Sequence, residues 1–170
     1  MASIYSISDW SAAVTYSIND IVKYGSYYYY SLKNGNLNQT PAVISTYWDG
    51  ITYYNGVVKP QFFWRPNYNS PISLEPTIKI IKFGDGYEQR VPDGINTKLL
   101  KLDLDFSLRT EAETKAISHF LEKRLGSDAF AFTPLPPFDL EKLFVCRNFN
   151  VTFIFLDNYS LKARFEEAIV

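Results

Sequence analysis

The sequence predicts an α+β protein, in which a small N-terminal all-β module precedes a curved, split-barrel-like antiparallel sheet with one packed helix. Apolar and polar residues alternate over residues 100–108, which is typical of a strand with one buried face. Two short apolar runs flank Gly84–Gly86, and an Asp-Gly turn between such runs indicates a β-hairpin. Thr110 and Glu113 have the spacing of a capping box, which marks the start of a helix.

The composition limits the class of protein. The 170 residues suffice for one ordinary domain and a smaller one. The 13 Tyr, 13 Phe and 3 Trp favour strands and contact surfaces over helix bundles. The net charge of -1, with both signs mixed along the chain, gives no electrostatic footprint for nucleic acid. The single cysteine, Cys146, excludes an intramolecular disulfide framework and a cysteine-based metal site.

The N-terminus has neither the basic nor the apolar segment of a secretion signal, and no apolar run is long enough to span a bilayer. We therefore expect a soluble protein made in a reducing compartment, with no cofactor, no metal, no membrane contact and no nucleic-acid partner.

Residues 1–50 form the predicted all-β module, which is poor in charge and rich in Tyr, Ser and Asn. Short strands are predicted at residues 14–16 and 20–24, and residues 27–32 return as a hairpin partner. So short a module buries little surface, so its core must consist of large aromatic side chains. The expected core residues are Trp10, Tyr16, Val22 and Trp48.

Residues 51–66 are predicted as a connector, and residues 67–170 as a second domain with the order β-β-β-α-β-β-β. Residues 67–76 are expected to be a loop, because they contain two prolines and no sustained period. A β-meander is predicted next, with turns at Gly84–Gly86 and at residues 92–94. A dinucleotide fingerprint at Gly84–Gly86 is disfavoured, because no third glycine opens a helix.

The predicted helix begins after Thr110 and stops at Gly126. His119 lies beside its apolar stripe and is interpreted as a solvated residue, since no Ser or Cys with a matching acid is placed to use it. The stripe consists of Ala116, Ile117, Phe120, Leu121 and, as its continuation, Leu125.

Three more strands are predicted after the helix. Prolines end a short strand at residues 129–132. The next strand contains Cys146, expected to be a small buried thiol, and continues into an apolar alternation over residues 149–155. A turn at residues 157–158 leads into the last strand, which ends near Glu167.

The order of residues in the N-terminal module resembles that of the small chitin-binding-like carbohydrate-binding modules of families five and twelve. Those modules run as Trp, Tyr, Gly-Asp-x-Val, a Tyr-bearing hairpin, Pro and a closing Trp, and here Asn19 replaces the usual Gly. The resemblance is carried by Trp10, Tyr16, Asp20, Val22, Tyr24, Gly25, Tyr28, Pro41 and Trp48.

This resemblance implies sugar binding by aromatic stacking. The adjacent Trp pair of many chitin binders is missing, and a run of four tyrosines lies nearby instead. Alternate members of a strand face opposite sides, so two tyrosines can lie in the core while two face outward. A purely structural module and a working glycan site both remain open at this point. The candidate sugar-stacking residues are Trp10, Tyr27, Tyr28, Tyr29, Tyr30 and Trp48.

Residues 64–170 resemble the phage minor tail protein M family, because several short motifs occur in the order of that family. One departure is Phe132-Thr133-Pro134, where relatives commonly have Trp-Thr-Pro-Pro. The motifs are Trp64-x-Pro66, Phe83-Gly84-Asp85-Gly86-Tyr87-x-Gln89-Arg90, Asp93-Gly94-Ile95-Asn96, Phe120-Leu121, Phe130-x-Phe132-Thr133-Pro134, Cys146 and Phe165-Glu166-Glu167.

This second resemblance implies a virion structural protein, made in the bacterial host cytoplasm and located at the phage tail tip. Such proteins form a distal-tail ring, usually of six copies, that joins the tail tube above to the hub and baseplate proteins below. The implied partners are therefore other copies of the chain, the tail tube protein and the hub. The N-terminal module either contacts host-surface glycan or packs against neighbouring tail proteins. The structural motif residues are Gly84, Asp85, Gly86, Tyr87, Asp93 and Gly94.

Two alternative functions belong to other classes. In the first, glycan adhesion is the main function and the second domain is an anchor, and copies on one ring would strengthen a weak aromatic site. In the second, the chain is a hydrolase. The candidate carboxylate pairs are Asp103/Asp105 and Glu166/Glu167. Acid/base catalysis requires surroundings that raise the pKa of one carboxyl and leave the other low, and neither pair lies in such a pattern, so this function is disfavoured.

Overall fold

The computed structural model describes residues 7–42, 45–50, 60–95 and 97–169. Part of the predicted connector, residues 51–59, and Asn96 of the predicted 93–96 motif lie outside the described residues. The elements are β1 (Thr15–Tyr16), β2 (Ile21–Tyr24), β3 (Tyr27–Ser31), β4 (Asn36–Leu37), β5 (Trp48–Gly50), β6 (Ile72–Leu74), β7 (Ile78–Lys82), β8 (Glu88–Pro92), β9 (Leu100–Arg109), α1 (Glu111–Lys123), β10 (Phe130–Phe132), β11 (Lys142–Phe155) and β12 (Asn158–Glu167).

The predicted fold class is confirmed: the chain is mostly β, with small N-terminal sheets, a larger curled antiparallel sheet and one helix. The larger sheet has five strands in the order β10-β11-β12-β9-β6, and each neighbouring pair is antiparallel. Register shifts interrupt the β11–β12 and β12–β9 pairings. Such bulges increase the local twist of a strand, which curls the sheet into a half-barrel.

β9 confirms the strand predicted from its alternation, with Leu100, Leu102, Leu104 and Phe106 buried. The expected pattern ends before Leu108, which is 68% exposed and has a φ of 58°. The register with β12 shifts at this point, so the extra residue turns the Leu108 side chain away from the core.

The helix α1 packs against β11 and β12 and begins as predicted. The Thr110 hydroxyl accepts a hydrogen bond from the backbone N–H of Glu113 at 3.3 Å, which is the N-cap half of a capping box. The apolar face of α1 is buried. The prediction that Leu125 extends this face is wrong. The regular helix ends at Lys123, and Leu125 adopts a φ of 51° and points outward.

The main core is centred on Phe62, whose ring lies against six other aromatic rings at centroid distances of 5.1 to 5.9 Å. Phe62 donates its backbone N–H to Ala131 at 2.8 Å, and Ala131 donates to Pro60 at 2.9 Å, so residues 60–62 pair with β10. The surrounding rings are Trp64, Phe106, Phe120, Phe130, Phe132 and Phe165. The end of the predicted connector therefore fills the core of the larger unit. The boundaries at residues 50 and 66 stay predictions.

The predicted meander is wrong in its strand order. β7 and β8 form the predicted hairpin, but they pair with each other and not with β9. β9 instead lies between β12 and β6, and β6 falls within residues 67–76, which were predicted to be a loop. Both neighbours of β9 are thus distant in sequence or short, and a local turn pattern does not specify them. The order is therefore β-β-β-β-α-β-β-β from β6 onward.

The N-terminal module consists of the sheet β2-β3-β5 and the strand pair β1-β4. Tyr16, Val22 and Trp48 are buried in its core as predicted, together with Tyr29, while Trp10 is partly buried at the margin. The indole N–H of Trp48 donates to the carbonyl oxygen of Gln39 at 2.8 Å, which satisfies the polar atom of this buried ring. Among the residues that the structure describes, no helix is long and apolar enough to cross a membrane.

Candidate functional site

The tyrosine strand β3 is covered on both faces. Tyr29 lies in the core of the N-terminal module, whereas Tyr30 lies in the main core, with its ring centroid 4.9 Å from that of Phe63 and 5.3 Å from that of Trp64. Tyr28 is on the same side as Tyr30, because alternate residues of a strand share a face. The module therefore lies against the larger unit through the face that was predicted to be open to solvent.

This packing corrects half of the predicted sugar-stacking set. Tyr29, Tyr30 and Trp48 are buried, so none of them can present a ring face to a sugar. Tyr28 is half-buried, and its ring lies edge-on against His119 at 5.0 Å and beneath the Lys123 ammonium at 4.7 Å. The face of β3 that the alternation assigned to solvent thus contacts the helix.

The remaining candidates form a small exposed group. Tyr27 is 41% exposed and stands opposite Tyr24 in the β2–β3 pairing. Trp10 packs edge-on against Tyr24, with the ring centroids 5.5 Å apart. These three rings, Trp10, Tyr24 and Tyr27, are called the module rim below. Tyr24 was not among the predicted site residues, and its position opposite Tyr27 could have been read from the hairpin register.

Asn19 connects the module to the larger unit. Its φ of 71° is in the left-handed region. Asn tolerates this conformation better than most residues. Its amide oxygen accepts a hydrogen bond from the indole N–H of Trp64 at 3.0 Å. Asn19 therefore both allows the turn and makes a side-chain contact with the larger unit.

The prediction that His119 is solvated is wrong. β3 covers this part of α1, and His119 is fully buried. Burial lowers the pKa of His119 from 6.5 to about 4, and the positive charges of Lys123 and Arg124 act in the same direction. Arg124 is also buried, with its guanidinium 4.7 Å from the centre of the Phe120 ring, and burial lowers its pKa to about 10. The neutral imidazole serves as a packing element.

A second buried polar contact lies at the same interface. The Tyr30 hydroxyl donates to the carboxylate of Asp49 at 3.4 Å. Burial raises the pKa of both groups, and the Asp49 charge raises that of Tyr30 further. Such an isolated buried pair orients the sheet against the core, because each polar atom has a partner there.

The hairpin of β7 and β8 projects as an exposed arm, defined here as residues 78–92. Its tip is Gly84–Gly86, where Asp85 and Gly86 have φ values of 64° and 79°, and the Phe83 N–H donates to the Tyr87 carbonyl at 2.8 Å. Its base contains Asp93, which donates to Thr77 at 3.0 Å, and Gly94, which has a φ of 98°. The family motif residues therefore shape the two ends of the arm. Its exposed apolar side chains are Ile78, Ile80, Ile81, Phe83, Tyr87 and Val91.

The outer part of β11, together with Leu156 that follows it, is a second exposed apolar region. These residues, 148–156, are called the open edge below. β10 pairs only with the first residues of β11, and no strand within the described ranges pairs with the outer side beyond them. The alternation over residues 149–155 correctly predicted a strand. Phe149 is partly buried against the main core, but the following apolar side chains are uncovered: Val151, Phe153 and Phe155 are 40%, 61% and 55% exposed. Ile154 and Leu156 are exposed as well.

The carboxylate pairs make structural contacts. Asp105 accepts hydrogen bonds from the hydroxyls of Ser107 at 2.7 Å and Ser160 at 3.4 Å. Glu167 accepts from the Lys142 ammonium at 2.8 Å and the Leu100 N–H at 2.9 Å. In the part of the chain that the structure describes, no group of three or more His, Cys, Asp or Glu side chains could hold a metal ion. The thiol of Cys146 is buried as predicted, and burial raises its pKa to about 12.

Comparison with known proteins places the larger unit in a family. The sequence model of a family described as phage minor tail protein matches residues 60–169. The match starts at the segment that contains Phe62 and Trp64, and it leaves residues 1–59 outside. The tail tip protein M of Escherichia phage lambda is 33% identical to this chain over 73 residues. That alignment covers 43% of this chain and 66% of the lambda protein, so it spans slightly less than two thirds of the relative.

Proposed function

The chain belongs to the phage minor tail protein family and is a component of the phage tail, and on this premise we propose that it is a structural subunit of the tail tip. We assign it to a ring of six copies that joins the tail tube to the hub and baseplate proteins. The similarity to the lambda tail tip protein supports this position. The partners in this proposal are other copies of the chain, the tube protein above and the hub below.

The observation that carries the proposal is the presence of two exposed apolar regions on a chain whose core is already filled. The arm and the open edge both have large side chains in solvent. Contiguous exposed apolar patches mark interaction sites, and exposed strand edges are templates for pairing with another chain. A subunit of a permanent assembly explains both features, because its neighbours cover them.

Cryo-electron microscopy of intact tails tests the assignment. We expect six copies of the chain in one ring at the distal end of the tube, with residues 1–50 on the outside. A different copy number, a position scattered along the tail, or absence from the tail would overturn it.

A second function, glycan adhesion by the N-terminal module, is supported by the module rim. Its three aromatic rings are adjacent and at least partly exposed, which suits stacking on a sugar. Several modules on one ring would strengthen a weak site. In this proposal residues 1–50 are a module that packs against the larger unit through Tyr28 and Tyr30 and through the hydrogen bond between Asn19 and Trp64.

A pull-down of the full chain with chitin and with bacterial cell walls tests adhesion. Tyr27→Ala should reduce binding, whereas Leu37→Ala, which removes an exposed side chain elsewhere in the module, should leave it unchanged. No binding by the unmodified chain at high concentration would rule adhesion out.

A further inference from the structure

We propose that the arm of one copy lies along the open edge of the next copy, so that β7 adds as a strand to the outer side of β11. This contact joins two different surfaces of the same chain. It rests on the proposed ring and specifies how neighbouring subunits of the ring are held together.

The two strands next to the edges of the five-stranded sheet, β9 and β11, differ in how much of their outer side is paired. On the β9 side, β6 and residues 67–71 supply partners: Asn67 donates to the carbonyl of Asp105 at 2.7 Å, and Asp103 donates to that of Pro71 at 3.1 Å. β12 pairs with one side of β11, but on the other side β10 pairs only with Lys142–Phe144, so within the described part of the chain the outer side of residues 148–156 has no partner strand. The chain therefore supplies partners along the outer side of β9 and leaves the outer side of β11 for another molecule.

The open edge also lacks the features that normally protect an edge strand. Residues 148–156 read NFNVTFIFL and include no charged residue and no proline. Exposed edges of monomeric proteins usually contain Lys or Pro, because uncharged apolar strands pair with other chains. An uncharged apolar edge is thus expected to be covered in the assembled state.

Of the two arm strands, β7 suits this edge better. β8 ends in Pro92, which has no N–H to donate, and its residues Glu88 and Arg90, two positions apart on one face, form an ion pair along the strand. β7 has five residues, three isoleucines and two lysines, and all five are exposed. It is short enough to lie within the open edge, and its isoleucines offer apolar side chains to both faces of the extended sheet.

The apolar area is sufficient for a specific contact. The exposed fractions of the apolar side chains on the arm and on the open edge correspond to a combined area on the order of 1,000 Å². Specific protein interfaces begin at about this size. Covering only one of the two regions would leave roughly half of this apolar area in water.

The pairing of two different surfaces also fits ring closure. If two open edges paired with each other, the contact would be two-fold symmetric and would stop at a dimer, with both arms still exposed. A contact between an arm and an edge is heterologous, and successive copies then close a ring when the rotation between them allows it.

Site-directed cross-linking in assembled tails tests the contact. Lys79→Cys on β7 and Thr152→Cys on the open edge place one exposed thiol on each surface. Both are introduced with Cys146→Ala, so that no other thiol remains. Tails are purified from cells that produce the double variant or co-produce the two single variants, and are treated with a short thiol-reactive cross-linker.

We expect the double variant to convert most of the chain to covalent multimers, and the co-produced single variants to give dimers. Neither single variant alone should cross-link, nor should Lys79→Cys combined with Leu140→Cys, which places a thiol on an exposed site outside both surfaces. Incorporation of each variant into tails confirms that it folds.

The outcomes separate this contact from the ring itself. Cross-linking of Thr152→Cys alone would show edge-to-edge pairing and overturn the proposal. Absence of cross-links in tails that contain a six-copy ring would overturn the contact and leave the ring standing. Multimers of the double variant in tails without such a ring would support the contact and overturn the ring. Tails with neither cross-links nor a six-copy ring would overturn both the contact and the ring.

Discussion

β9 and the outer half of β11 have the same kind of sequence pattern and opposite exposure. In β9 the alternating apolar side chains up to Phe106 are buried, whereas in β11 Val151, Phe153 and Phe155 are exposed. Leu161 of β12 stands between them, opposite Phe106 on one side and Val151 on the other. The alternation indicates that a segment is a strand with an apolar face. Whether that face is buried depends on which other elements lie over it.

His119 is the converse case. The helical pattern places it beside the apolar stripe, which favours a solvated position, but β3 of the N-terminal module lies over it. Tyr28 and Tyr30 lie on the face of β3 that the alternation assigned to solvent, and this face also packs against the larger unit. Covering elements from distant parts of the chain thus decide exposure at both kinds of position.

The largest expected effect comes from truncating matched phenylalanines in the two strands. Phe106→Ala should lower the free energy of unfolding by about 3–5 kcal/mol, because it opens a cavity in the core. Phe153→Ala should lower it by less than about 1 kcal/mol, because the ring is 61% exposed and packs edge-on against Tyr159. Urea unfolding of the isolated chain measures both. Equal losses would show that the open edge is covered within one copy.

The pH dependence of stability tests the covered histidine. The pKa of His119 is about 4 in the folded chain and 6.5 when unfolded, so the unfolded chain binds the proton first as the pH falls. Stability from this group is therefore present above pH 6.5 and lost as the pH falls toward 4, by about 3 kcal/mol. His119→Gln should remove this component from unfolding curves measured between pH 7 and pH 4. Parallel curves for the two proteins would show that His119 is solvated.

Charge on the open edge should affect assembly more than folding. Phe153→Glu should reduce incorporation of the chain into tails at least about tenfold, because a buried unpaired carboxylate costs more than the roughly 1.4 kcal/mol that this ratio requires. Leu140→Glu, at an exposed apolar residue outside the arm and the open edge, should be incorporated normally. Quantitative immunoblots of purified tails measure the ratio, and equal incorporation of both variants would contradict an interface at the open edge.

The smallest effect is expected at the junction between the module and the larger unit. Asn19→Gly keeps the left-handed turn but removes the acceptor for the Trp64 indole, which should cost about 1 kcal/mol. Asn38→Gly is the matched control, because Asn38 also has a positive φ, of 53°, and is exposed. Chemical unfolding of both variants gives the difference. A loss for Asn38→Gly as large as that for Asn19→Gly would attribute the effect to the turn alone.

Local chemistry made several elements predictable. The Gly84–Gly86 turn, the β9 alternation and the Thr110 cap each depend on residues that are close in sequence, and all three are confirmed. The module core of Tyr16, Val22 and Trp48 was predictable because few other side chains in so short a segment are large enough to form one. Of the candidate glycan site, only the module rim residues Trp10 and Tyr27 keep a position that fits the role.

By itself, the sequence determined the helix and most of the strands, although not β6, together with the main turns and the side chains that share a face. It also determined the family resemblance, because ordered motifs survive in the linear chain. Only the tertiary structure decided that β6 lies beside β9, that the arm stands apart from the sheet, that the tyrosine strand is covered on both sides and that the open edge is not. The physical reason is that secondary structure follows from contacts between near neighbours in sequence. Burial follows from packing between distant segments, and for the arm and the open edge we propose that these segments belong to another copy.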